Sequence, residues 1–165
     1  MARLASKYFQ SHSPATLEDF RWWSGLGIKD ARKAISFIHA NLITEKINST
    51  EFYASNNQVA GLNDSHVHLL PAYDEFIVSY TDRSASITTE HHKKAISSNG
   101  LFRPVVVING EVNGIWKRTI KNRLVEIEIN LFQPQNKRIK SQIEEAAEKY
   151  GSFLQLTTDI VFKNF

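Results

Sequence analysis

The chain has 165 residues, of which 42% are hydrophobic and 22% charged, with a formal net charge of +3; this is the composition of a globular protein long enough for one large domain or two small ones. It contains no cysteine, which excludes disulfides, thiolate zinc sites and a cysteine nucleophile. No apolar run approaches the roughly 20 residues that a transmembrane helix needs, and the N-terminus has no signal-peptide core, so a cytoplasmic protein with no membrane partner is expected.

Residues 2–12 place Leu4, Tyr8 and Phe9 on one helical face, and Ser13-Pro14 ends that helix, because proline disfavours the α conformation in the residue before it. Thr16 opens a second, short helix with Asp19 in a capping-box position, and Ser24-Gly25 stops it. A third helix is expected from Ile28 to Leu42, since Ala31, Ile35, Ile38 and Leu42 recur as one buried face requires. Lys29, Arg32 and Lys33 fall off that face near its start. Two β-prone runs follow within 42–55, broken at Asn48-Ser49-Thr50.

Three helices and a hairpin are the order of a winged helix, with the third helix as recognition element and 42–55 as the wing. DNA readers of this type present side chains from the N-terminal part of the recognition helix to base edges, where Lys29, Arg32 and Lys33 stand. Winged helices also serve as protein–protein modules, and this wing carries only Lys46 as a cation.

The polar, turn-rich residues 57–68 read as a linker between a winged-helix domain, 1–56, and a β-barrel-like domain, 69–165. In the second part, Phe76–Tyr80 is β-prone and 88–100 suggests a short helix or loop. The region from Leu101 to Phe132 then holds three β-rich runs. Asn109-Gly110 joins the first two, a strong hairpin signal because a type I′ turn needs positive φ at both central residues. Lys121-Asn122 marks the second break. Beyond it Val125, Ile127, Ile129 and Leu131 alternate with Glu126, Glu128 and Asn130, giving a strand with one buried and one wet face. Residues 136–150 form an amphipathic helix with Ile139, Ile143, Ala147 and Tyr150 inward and Gly151 as C-cap. A last strand within 153–162 puts Leu154, Leu156 and Ile160 on one side. The expected fold is therefore α+β: a winged helix followed by a small antiparallel β-barrel with one or two helices.

Charge is concentrated. Residues 101–140 carry a net +5, against +2 for 1–60 and −2 for each of 61–100 and 141–165. Lys117, Arg118, Lys121 and Arg123 cluster at the second hairpin turn, a patch that would attract a polyanion; strand edges also use such cations simply to block aggregation. Trp116 beside them could stack on a base or pack in the core, and Trp22-Trp23 pose the same choice. His66 and His68 have a spacing some zinc sites use, but a third ligand is missing, and surface or linker histidines are the better reading. Asp74 and Glu75 point to opposite faces of an extended chain, which favours a structural ion pair with Arg83 or Arg103 over acid–base chemistry. No phosphate-binding glycine loop, nucleophile elbow or HExxH helix occurs, and no metal or cofactor is expected.

Residues 69–85, LLPAYDEFIVSYTDRSA, with 99–118, NGLFRPVVVINGEVNGIWKR, and 13–35, SPATLEDFRWWSGLGIKDARKAI, resemble the bacterial winged-helix DNA-binding family of AlkZ-type glycosylases, which unhook interstrand crosslinks. The resemblance implies a DNA-repair protein whose third winged helix precedes a β-barrel. It also implies a catalytic Gln-x-Gln or Gln-x-Asp motif in earlier winged helices, ahead of Met1. Gln133-Pro134-Gln135 fits that motif but follows the barrel strands, and reads as chance. The expectation is a double-stranded-DNA-binding module without catalysis of its own, working with a separate N-terminal winged-helix half. The alternatives are a minimal glycosylase using Gln133 and Gln135, hydrolytic chemistry at His66 and His68, or a protein–protein module.

Overall fold

A computed structural model of the chain describes residues 1–56 and 66–163. They form two compact units: 1–56 with Glu75–Arg83, and 66–74 with 84–163. Most of the expected linker, 57–65, lies outside the described residues. No helix is long and apolar enough to cross a membrane among those described.

The first unit starts with helix α1 (Ala2–Ser11), which buries Ala5, Tyr8 and Phe9. Leu4, expected inward, is exposed; the buried stripe runs one residue later. A two-residue strand, β1 (Ala15–Thr16), leads into α2 (Leu17–Ser24). The Thr16 hydroxyl accepts from the Asp19 N–H at 3.1 Å while the Asp19 carboxylate accepts from the Thr16 N–H at 2.9 Å, a reciprocal cap that satisfies two orphan donors. Gly25 ends the helix at φ 68°. Helix α3 (Ile28–Ser36) buries Ala31, Ala34 and Ile35 and stops six residues short of the expected Leu42. The Phe37-Ile38-His39 stretch is built of weak helix formers, and the chain tightens into a single 3-10 turn, His39–Asn41, that keeps Ile38 buried. Strands β2 (Leu42–Ile47) and β3 (Thr50–Ser55) form a hairpin through Asn48 and Ser49, both at positive φ. The sheet order is β1-β3-β2, all antiparallel. Tyr8, Phe9, Phe20, Ile35 and Tyr53 fill the core between helices and sheet.

The segment Glu75–Arg83 packs into this unit. Its first part is a short helix, α4 (Glu75–Val78), where a strand over Phe76–Tyr80 was expected. Among the described residues no strand pairs with it. Side chains take its carbonyls instead: Arg83 Nε donates to Ile77 O at 2.7 Å and Trp22 Nε1 to Val78 O at 2.9 Å.

The second unit is a five-stranded sheet in the order β4 (Val67–Leu70), β5 (Val105–Ile108), β6 (Glu111–Lys121), β7 (Leu124–Leu131), β8 (Thr157–Lys163). Helix α5 (Thr89–Ala95), capped by Thr88, precedes β5. Asn109 and Gly110 have φ 52° and 86°, as a type I′ turn demands. The second turn is Asn122-Arg123, one residue later than expected, because Asn122 takes the positive φ of 50° and Lys121 stays paired with Leu124. Val125, Ile127, Ile129 and Leu131 are buried, and helix α6 (Lys137–Leu154) covers them with Ile139, Ile143 and Ala147.

The sheet is not closed, which corrects the expected barrel. Closure would pair the outer strands β4 and β8, and they stand at opposite ends of the order. α6 is a crossover that returns the chain parallel to β7, so the apolar face is covered by a helix rather than by curling the sheet on itself. α6 also runs past Gly151 to Leu154 and ends at Gln155 with φ 58°. Gly151 is therefore not the C-cap but a packing contact: a Cβ there would lie 1.8 Å from Thr158 Oγ1 and 3.3 Å from Leu156 O. Gly151→Ala should cost about 2 kcal/mol from overpacking, read by urea unfolding, and adding Thr158→Ala should recover part of it. A destabilisation that Thr158→Ala leaves unchanged would mean that this close approach is not the cause.

Candidate nucleic-acid interface

The β6–β7 register decides the fate of the hairpin cations. Lys117 faces Glu128, Thr119 faces Glu126 and Lys121 faces Leu124, so the lysines and both glutamates share the sheet face opposite α6. Lys121 Nζ lies 3.0 Å from Glu126 Oε2, Lys117 Nζ 3.9 Å from Glu128 Oε1, and Lys163 Nζ 3.7 Å from Glu128 Oε2. Such exposed pairs add little stability, but they cancel most of the field a phosphate would feel. Arg118 projects to the other face, where its guanidinium donates to the Tyr150 hydroxyl and sits 5.5 Å from that ring's centroid. Arg123 is exposed, and its side chain has no partner among the described residues. The four cations thus share one hairpin but act as three different groups.

Trp116 is a core residue. It is 7% exposed, its indole N–H donates to Leu70 O at 2.8 Å, and its ring meets Tyr150 edge-on at 5.4 Å. No face is left for a base, which corrects the stacking role expected of it. Of the Trp22-Trp23 pair, Trp23 packs 5.1 Å from Tyr8 while Trp22 is 61% exposed.

The α3 cations differ from the hairpin lysines. Lys29, Arg32 and Lys33 are all exposed and, at i, i+3 and i+4, occupy one side of the helix. Lys29 and Lys33 have no ion pair among the described residues. Like charges at i, i+4 are mildly unfavourable in a helix, so this pairing does not serve α3 itself. Arg32 faces the Tyr53–Glu51 pair; burial and the hydrogen bond to Glu51 push the Tyr53 phenol up to about 12, and Arg32 opposes the rise.

Two polar clusters in the first unit carry no simple sequence signal. Asp19, 4% exposed, accepts from the N–H and hydroxyl of Thr16 and, at 2.8 and 2.7 Å, from those of Thr81. The capping-box motif foreshadows only the first half of this. His12, buried and stacked on Tyr8, places Nε2 3.0 Å from Glu75 Oε2; Glu75 therefore pairs with His12, not with the expected arginines. In the second unit His66 Nε2 and His91 Nε2 are buried without a partner among the described residues, His68 is exposed, and no three metal-ligating side chains converge there. Gln133 is exposed in the loop after β7 and Gln135 half-buried.

The profile of the AlkZ-like DNA glycosylases matches residues 1–153. Among solved structures, the Streptomyces sahachiroi DNA glycosylase AlkZ is similar, with a TM-score of 0.73 at 20% identity over 97% of this chain. The chain spans 45% of that protein's length. No curated relative matches the sequence.

If Trp116 serves packing alone, Trp116→Ala should lower stability by about 3–5 kcal/mol in chemical unfolding and leave polyanion affinity per folded molecule unchanged. A stable variant with weakened affinity would return the residue to the interface.

Proposed function

The chain belongs to the family of AlkZ-like DNA glycosylases, and on that premise we propose that it is a double-stranded-DNA-binding module of a DNA-repair protein. We read the first unit as a winged helix that lays α3 against the duplex, with β2 and β3 as its wing. The order α1, β1, α2, α3, then the β2–β3 hairpin, with the strands joined as β1-β3-β2, supports that reading.

One observation carries the proposal: Lys29, Arg32 and Lys33 line a single exposed helix side, with Lys29 and Lys33 unneutralised among the described residues. Phosphates are bound where cations are free, because each neutralised phosphate releases condensed counterions. The hairpin is assigned the secondary part. Arg123 is its strongest contributor, Arg118 is held by Tyr150, and Lys117 and Lys121 must leave glutamates to engage DNA. Backbone engagement of this kind positions a duplex without reading its sequence. We assign the chain no catalytic residue; on this reading a partner winged-helix half supplies the chemistry, and Gln133 and Gln135 take no part.

The test is duplex affinity across a salt series. Replacing Lys29, Arg32 and Lys33 by alanine should weaken binding and lower the salt slope by roughly 2–3, since each phosphate left without its cation removes about 0.9 from the slope. The double change Glu126→Gln and Glu128→Gln should do the reverse, tightening binding by freeing Lys117, Lys121 and Lys163. A triple variant with an unchanged slope would remove α3 from the interface.

A further inference from the structure

We propose that Tyr73, with Phe102 beside it, is a stacking platform for an unpaired nucleobase; the inference rests on the DNA-binding reading above and names the feature of DNA that the second unit engages. Tyr73 has φ 58°, a left-handed conformation that a bulky L-residue rarely adopts and glycine adopts freely. Strain of this kind persists where the surroundings enforce it, and it collects at binding sites. Here its effect is to hold an aromatic ring out in solvent: Tyr73 is 54% exposed, and its hydroxyl has no hydrogen bond among the described residues.

The ring is exposed but not loose. Pro71 restricts the turn before it, and Leu70 O is anchored by the Trp116 indole at 2.8 Å. Phe102, fixed by the bridge between Ile96 and Phe102, lies 5.5 Å from Tyr73, centroid to centroid. Leu101, the residue before it, is 51% exposed. Arg103 follows, exposed and without a side-chain partner among the described residues. Two flat apolar rings, with an exposed guanidinium one residue along the chain from Phe102, match a base with its phosphate. Stacking is open to any base because every base has a π-face, whereas an apolar protein segment would leave that cation unanswered. Within an intact duplex the base faces are covered, so the ligand is a base already out of the stack.

The experiment compares the full chain on an intact duplex of about 20 base pairs and on the same duplex with a one-nucleotide 2-aminopurine bulge. The bulged duplex should bind more tightly, with the fluorophore quenched on binding. Tyr73→Gly, which removes the ring and accepts the positive φ, should reduce the bulge's advantage roughly 5- to 150-fold, the range for loss of one base–aromatic stack. Its melting temperature should not fall below that of the parent, and Tyr73→Phe should retain the preference. A parent chain without bulge preference, or a Tyr73→Gly variant that keeps it, overturns the platform while intact-duplex binding leaves the DNA-binding reading standing. Binding to neither duplex above an equally basic control protein overturns both.

Discussion

The Asp19 carboxylate is the constraint on which the first unit depends. It is nearly inaccessible to water, and it accepts four hydrogen bonds, two from Thr16 at the head of α2 and two from Thr81, 62 residues further on. A buried charge is tolerated only when its lone pairs are answered. Here all the answering donors belong to two threonines, so the ion fixes both ends of the arrangement at once. Its charge is felt by its neighbours: burial chiefly, and Asp19 in addition, raise the Tyr8 phenol well above the usual tyrosine range and push the Tyr80 phenol up as well. Tyr80 in turn donates to His12 O and Trp22 to Val78 O. Through these bonds the segment Glu75–Arg83 braces α1 and α2, the helices against which α3 is packed.

In the second unit one sequence pattern does two things. The alternation of Val125, Ile127, Ile129 and Leu131 with Glu126 and Glu128 builds a strand whose apolar side meets α6. The same alternation places Glu128 opposite Lys117 and Glu126 diagonally within reach of Lys121. A hairpin that looks strongly basic in a linear count is therefore nearly neutral on its open face. Charge density along a sequence is a poor guide to surface potential where strands pair, because the cross-strand neighbour, not the sequence neighbour, sets the field.

The parts of this fold that are legible in the sequence are the ones governed by local rules. Asn109-Gly110 specifies its turn, Thr16 and Asp19 their cap, and the spacing of Ile139, Ile143 and Ala147 the buried face of α6. The rest is set by tertiary interactions. Phe76–Tyr80 carries β-prone residues, but Arg83 and Trp22 claim its Ile77 and Val78 carbonyls and Asp19 holds Thr81 just beyond it, and a short helix forms in place of a strand. Gly151 looks like a helix stop and is a point of close approach to Thr158. The barrel gives way to the parallel return of β8, which periodicity cannot distinguish from an antiparallel one. The pairing of Lys117 with Glu128 is within reach of the sequence: a two-residue turn at Asn122-Arg123 fixes the register, and the register puts these two charges face to face and Lys121 diagonal to Glu126. Nothing in the sequence marks His12 as the partner of Glu75.

On the reading proposed above, this chain engages duplex DNA through free cations. The most direct test is equilibrium affinity for a duplex oligomer over a series of salt concentrations, set against a control protein of equal net charge. Tighter binding than the control is expected, with a log–log salt slope of about −3, near the value for three neutralised phosphates. Affinity no greater than the control's, or a slope near zero, would contradict that reading and point to a surface made for a protein.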